Sequence, residues 1–215
     1  PLTGYLGESH AGGRLGLAMK LANYGGIVIK GQAASPVYLA IHDDQVSIKD
    51  AGVLWGMRST YSVGRILREV EPGVGRRSII RIGPAGEKLG HFANVNVDVY
   101  RHFGRLGLGA VFGSKKLKAL VISGSKSFKI ENPAAYQKIY DKIYTEVTKT
   151  DLMKKYHDLG TAANILPLNE LRAFPTKNLQ QRSFEYVEGI SGERLAENFL
   201  VRKMACPVCP VGCIH

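Results

Sequence analysis

The chain has 215 residues, 45% of them hydrophobic, and carries 29 Lys+Arg against 18 Asp+Glu, a formal net charge of +11. That length allows one large or two small domains with real cores, and the positive surplus calls for an anionic partner: nucleic acid, a membrane surface or a phosphorylated cofactor. No run approaches the roughly 20 apolar residues that span a bilayer, and the opening lacks the basic and apolar segments of a signal peptide, so a cytoplasmic protein without a membrane role is expected.

Taken in chain order, Leu15, Ala18, Met19 and Ala22 recur at helical spacing after the glycine-rich stretch GESHAGGRLG, and Gly25-Gly26 are expected to end that helix. GIVIKG, PVYLAI and QVSIKD then read as short strands, the last two joined by a hairpin at His42-Asp43-Asp44-Gln45. Ser59 or Thr60 is suited to cap a helix presenting Val63, Ile66, Leu67 and Val70, with Pro72-Gly73 as its stop. RSIIRIG, the alternating HFANVNVDVY and KLKALVIS predict further strands. Trp55 is expected in the core.

The composition shifts at about residue 127. Asn132-Pro133 is a helix start, an N-cap followed by proline at the first helical position, and AAYQKIYDKIYTEVTK follows at helical spacing. DLMKKYHDLG, TAANILPLNEL and SGERLAENFLVRKM continue as helices around a looser stretch, AFPTKNLQQRSFEYVEG. The Tyr136, Tyr140, Tyr144 row predicts one helix face packed on its neighbours. The fold class expected is α+β, with a β-rich domain over 1–126 and the start of a helical domain over 127–215.

All three cysteines lie in the last ten residues, at C-x2-C-x3-C: Cys206, Cys209 and Cys213. An odd number at tight spacing is not the layout of a secreted disulfide framework. Short loops shaped by Pro207, Pro210 and Gly212 let sulfurs converge on one centre. An iron–sulfur cluster would take its fourth ligand from elsewhere, a zinc ion could use His215, and inert or redox-labile thiols are a third reading. His91, His102 and His157 have no spacing that makes a metal pair.

The second constellation is YRHFGRLGLGAVFGSKKLKAL. Between Asp98 and Glu131 there is no acidic residue, while Arg101, Arg105, Lys115, Lys116, Lys118, Lys126 and Lys129 all fall there. Gly104, Gly107, Gly109 and Gly113 allow close approach of backbone N–H groups to a phosphate, which arginine forks would reinforce. No GK[ST] closes a P-loop spacing. Tight turns with solvated lysines are the plain alternative. Gly12, Gly13 and Gly16 pose the same choice between lining a ligand and letting a helix pack closely, and His10 could hydrogen-bond a ligand or stand as a surface histidine.

Together, GRLGLAMKLANYGGIVIKGQAASPVYLAI, KDAGVLWG, RIGPAGEKLGHFA, RHFGRLGLGAVFGSKKLKAL, AFPTKNLQ and ACPVCPVGC resemble consecutive blocks of the tungsten-containing aldehyde ferredoxin oxidoreductases across essentially the whole chain. The resemblance implies part of a β-rich pterin-binding domain followed by the start of a helical one, hence a fragment. It implies a bis-pyranopterin cofactor carrying tungsten or molybdenum, and a [4Fe-4S] cluster ligated by Cys206, Cys209 and Cys213. His10, Gly12, Arg101, His102, Gly104 and Arg105 match the stretches that contact the pterins. Implied partners are an aldehyde substrate, ferredoxin and a second copy in a homo-oligomer, with no nucleic acid. The family usually has Asn where His10 stands, small residues at His102 and Phe103, and Gly at Leu106, so a tighter or differently hydrogen-bonded pterin pocket is expected. The rival reading is a basic nucleic-acid-binding module with a Cys3His zinc site; an electron-transfer subunit carrying only the cluster is a third.

Overall fold

The computed structural model describes residues 5–127, 129–207 and 209–213. The chain forms two compact units, Pro1–Lys129 and Ile130–His215.

The first unit is a six-stranded sheet with helices on both faces. Its strands are β1 (Val37–His42), β2 (Gln45–Asp50), β3 (Arg77–Arg81), β4 (Val95–Val97), β5 (Arg101–Phe103) and β6 (Leu117–Ser123), in the order β2-β1-β6-β3-β4-β5. Only the β1–β6 pair is parallel. β6 is central and buried along its whole length, and its side chains alternate between two cores because a strand has a period of two. Leu120 and Ile122 join Ala18 and Ala22 at helix α1 (Leu15–Leu21). Ala119 and Val121 join Val63 and Leu67 of α2 (Thr60–Val70). Leu67 is fully buried, a burial that contributes about 2 kcal/mol for a leucine.

Local chemistry sets the boundaries. The β1–β2 hairpin turns at Asp43, whose φ of 51° is tolerated by an Asp, and Ser59 caps α2 by accepting from the Ser62 N–H. Chain direction reverses after α1 at Asn23, with φ 68°, before Gly25 is reached. GIVIKG is not a strand. Both neighbours of β1 are already taken by β2 and β6, and the segment instead tucks Ile27 against the first core while Val28 faces solvent. Trp55 packs against that core from a half-buried position.

Several buried polar groups of this unit are paired. Glu71 accepts from Tyr38 (2.6 Å) and Lys49 (2.8 Å) and contacts His42 Nε2 (2.8 Å), while His42 Nδ1 meets Ser123 Oγ (2.6 Å). Burial pushes the Glu71 carboxyl up, but the hydrogen bonds from Lys49, Tyr38 and His42 outweigh it and hold it below the ordinary carboxylate range. Fully buried Lys118 is paired with Glu87 of α3 (Pro84–Glu87).

The second unit is helical. Asn132 caps α5 (Pro133–Lys149), accepting from the Ala135 N–H, Thr150 caps α6 (Asp151–Leu159), and Ser191 caps α8 (Gly192–Asn198). Between them lie short helical turns at Gly160–Asn164 and Val187–Ile190 and the one-and-a-half-turn α7 (Ile165–Glu170). The tyrosine row departs from expectation: Tyr136, Tyr140 and Tyr144 stack on one another, with centroids 6.4 and 6.0 Å apart, and each is about half exposed. The fold is therefore α+β. Among the described residues, no helix is long and apolar enough to cross a membrane.

Candidate cofactor site and cysteine loop

The first unit brings its two glycine-rich segments together at the β4–β5 end of the sheet. β4 turns at Asp98, with φ 52°, into β5, so that Val97 pairs with Arg101, Asn96 with His102 and Val95 with Phe103. Asp98 pins this turn to β3: its carboxylate accepts from Ser78 Oγ (3.0 Å) and the Ile79 N–H (2.9 Å). Past β5 the backbone passes through Leu106 (φ 66°) and Gly107 (φ 65°) into α4 (Leu108–Ser114).

Three contacts dock the first segment here. The Arg105 N–H donates to Ser9 Oγ at 3.1 Å. Leu106 lies over Gly7. Gly13, with φ 107°, leaves a gap in which a Cβ would meet Arg101 Cγ at 3.5 Å and Asp98 Oδ2 at 3.7 Å. Gly12 and His10 are exposed beside this junction, His10 Nε2 standing 3.4 Å from Glu8. Arg101 is half-buried; His102, Gly104 and Arg105 are exposed, and nothing lies within 4 Å of a Cβ at Gly104.

Asn96 adds a feature that the sequence reading passed over. Its side chain is buried, its Nδ2 meets His102 Nε2 at 2.9 Å, and its Oδ1 has no partner among the described residues. A buried acceptor left open costs free energy unless a ligand donor completes it. The sequence signal was present, since Asn96 is one of the polar positions of NVNVD, with Asn94 and Asp98. A phosphorylated heterocycle fits this chemistry: exposed arginine, glycine backbone open to close approach, and an unanswered acceptor.

The basic run supplies fewer free cations than its composition implies. Lys118 is consumed by Glu87, Lys115 donates to Gly31 O (3.1 Å), Lys116 to Ala34 O (2.6 Å), and Lys126 pairs with Asp44 (3.2 Å).

In the second unit, Cys206, Cys209 and Cys213 are of intermediate exposure and are not joined in a disulfide. The Cys209 N–H donates to the Cys206 carbonyl at 3.1 Å, closing a turn across the first spacing. The donor set suits a cluster or a soft metal. Among the described residues, no three of His, Cys, Asp or Glu are already gathered to hold an ion, and His215 lies outside the described residues. The loop is tied to α6: His157 Nδ1 meets the Val211 carbonyl at 2.6 Å, and Lys203 Nζ reaches Asp158 at 3.3 Å.

The glycine-lined, arginine-bearing sheet end of the first unit and the three-cysteine loop of the second are the two places where this chain's chemistry suits a bound cofactor. The chain belongs to the aldehyde ferredoxin oxidoreductase family: residues 1–124 match its N-terminal domain and residues 138–215 its domains 2 and 3. It is 37% identical to the tungsten-containing aldehyde ferredoxin oxidoreductase of Thermococcus kodakarensis, over 99% of this chain and 35% of that protein. The aliphatic sulfonate oxidoreductase WOR-like subunit of Pyrococcus furiosus is 33% identical over 93% of this chain and 34% of its own. Among solved structures, the active site complex BamBC of benzoyl coenzyme A reductase aligns with TM-score 0.68 and 27% identity over 95% of this chain and 33% of that one. The chain thus spans about a third of the length of the curated relatives it matches.

Proposed function

We propose that this chain is the pterin-seating and cluster-bearing portion of a tungsten or molybdenum bis-pterin enzyme. That enzyme would oxidise an aldehyde to a carboxylic acid and pass the electrons through a [4Fe-4S] cluster to ferredoxin. The observation that carries the reading is the docking of segment 7–13 on 97–107, which groups two glycine-rich stretches with Arg101, Arg105 and the open acceptor of Asn96. Residues 1–126 would form the pterin base and 127–215 the start of the helical domain. Arg101 and Arg105 bind phosphate, Gly12 and Gly104 admit it, and His10 and His102 hydrogen-bond the rim. Cys206, Cys209 and Cys213 ligate the cluster. When bound, the metal–pterin group supplies the redox chemistry; this chain's work is to bind and orient. The aldehyde is favoured over a sulfonate because identity is higher to the aldehyde enzymes, 37% and 38% against 33%. The chain spans only about a third of its relatives' length, so these 215 residues alone are not expected to turn over. A homo-oligomer is expected for the whole protein.

The test uses the native protein that carries this chain, purified anaerobically. It should be brown, contain iron, sulfide and tungsten or molybdenum, release pterin on denaturation, and reduce ferredoxin when given an aldehyde. A colourless protein holding one zinc and retaining nucleic acid with a steep salt dependence refutes the proposal.

A further inference from the structure

Each flank of the cysteine loop is tied to the last turn of one helix. Lys203, three residues before Cys206, pairs with Asp158, which Lys154 also holds from within α6. Between Cys209 and Cys213, the Val211 carbonyl meets His157 Nδ1 at 2.6 Å. A carbonyl can only accept, so Nδ1 carries the proton there. Gly212, buried with φ 63°, lies beside the same ring, where an added Cβ would stand 3.4 Å from Nδ1. Neighbouring residues of α6 thus grip both sides of the sulfur-bearing segment.

We infer that His157 and Asp158 form a two-point clamp that positions the cysteine loop on α6 before any cluster is bound. Its purpose rests on the cluster assignment above, but the clamp itself is a property of the chain. Spaced ligands on a short loop lose conformational freedom when they converge on a centre, and a loop already held at one backbone carbonyl and one side chain has less to lose. His157 and Asp158 are positioning residues; neither is placed among the ligands.

The test labels the reduced 215-residue chain with iodoacetamide and follows each cysteine by mass spectrometry. His157→Leu removes the donor while keeping bulk, and should raise the labelling rate of Cys213 about fivefold with Cys206 little changed, as expected for loss of one hydrogen bond to a locally opening segment. His157→Asn, whose Nδ2 takes the place of the ring Nδ1, should restore the slow rate. Lys203→Met should act on the other flank, raising Cys206 about twofold and sparing Cys213, in keeping with a partly exposed ion pair. Unchanged rates in folded variants, or all three cysteines rising together, overturn the clamp. Should His157→Leu lose its helical circular dichroism, Lys203→Met decides alone. Iron and sulfide analysis of the native protein that carries this chain, purified anaerobically, separates the two readings: selective labelling of the 215-residue chain together with a native protein that holds no iron or sulfide leaves the clamp standing and removes the cluster assignment.

Discussion

Glu87 shows how much one side chain can carry. The Lys118 ammonium is fully buried in the central strand and has Glu87 as its ion-pair partner, while the same carboxylate accepts from the Gly56 N–H at 2.8 Å. Removing one member of a buried pair leaves an uncompensated charge, so Glu87→Gln is expected to cost about 3–5 kcal/mol in urea denaturation. Arg105 is exposed, and Arg105→Ala should leave that midpoint within about 0.5 kcal/mol. In the native protein it should instead lower the pterin released on denaturation. Charge was legible in the sequence for both residues. Pairing was not, because Glu87 reaches Lys118 only once α3 has folded beside the sheet. Glu71 adds a pH dependence. Its folded pKa lies below its unfolded one, so its contribution is present above the unfolded value of about 4.3 and lost as pH falls through the folded value. The parent chain should therefore destabilise more steeply on acidification below about pH 4.5 than Glu71→Gln does, when the two are compared by denaturation across that range.

At the level of whole elements, α2 reverses a familiar rule. Gly64 lies mid-helix, where replacement by Ala ordinarily gains about 1 kcal/mol. Here a Cβ would sit 2.7 Å from Cζ and 2.9 Å from Nε of Arg81, a guanidinium held by the Thr60 and Ile79 carbonyls. Burial, with Arg68 adding to it and Asp98 opposing, pushes the Arg81 pKa down to about 10, so the group remains charged and has little room to retreat. Gly64→Ala should destabilise by about 1–3 kcal/mol, read as a lowered thermal midpoint, and a raised midpoint refutes the packing argument. The helix and a cap at Ser59 or Thr60 followed from residue pattern, and the Ser62 N–H selects Ser59. The role of Gly64 did not, since it depends on a β3 residue seventeen positions later. The candidate site divides in the same way. Arginines and glycines announced themselves by type and spacing, whereas Asn96 and Ser9 act through strand register and through contact between segments about ninety residues apart.

Burial is distributed unequally over the molecule. Both hydrophobic clusters belong to the first unit, and of the described residues in the buried apolar core Ala163 alone lies beyond Lys129. In the second unit α5 has no buried residue, and Tyr136, Ile139, Tyr140, Ile143 and Tyr144 are all exposed. A helix draws most of its stability from packing an apolar face, and this one, amphipathic in sequence, leaves that face largely open. Its start at Asn132 and its period could be read in advance; its exposure could not, because periodicity says which face is apolar and not what covers it. The two units should accordingly differ in native-state hydrogen exchange of the 215-residue chain. Amides of β6 and β3 should exchange only through global opening, while those of α5 should exchange orders of magnitude faster, through local opening worth a few kcal/mol less. Adding low denaturant should speed β6 with a steep dependence and α5 with a shallow one, since far less surface is exposed when α5 opens. Equal rates and equal denaturant slopes in α5 and β6 would mean one cooperative unit, and would require a partner surface for the tyrosine row.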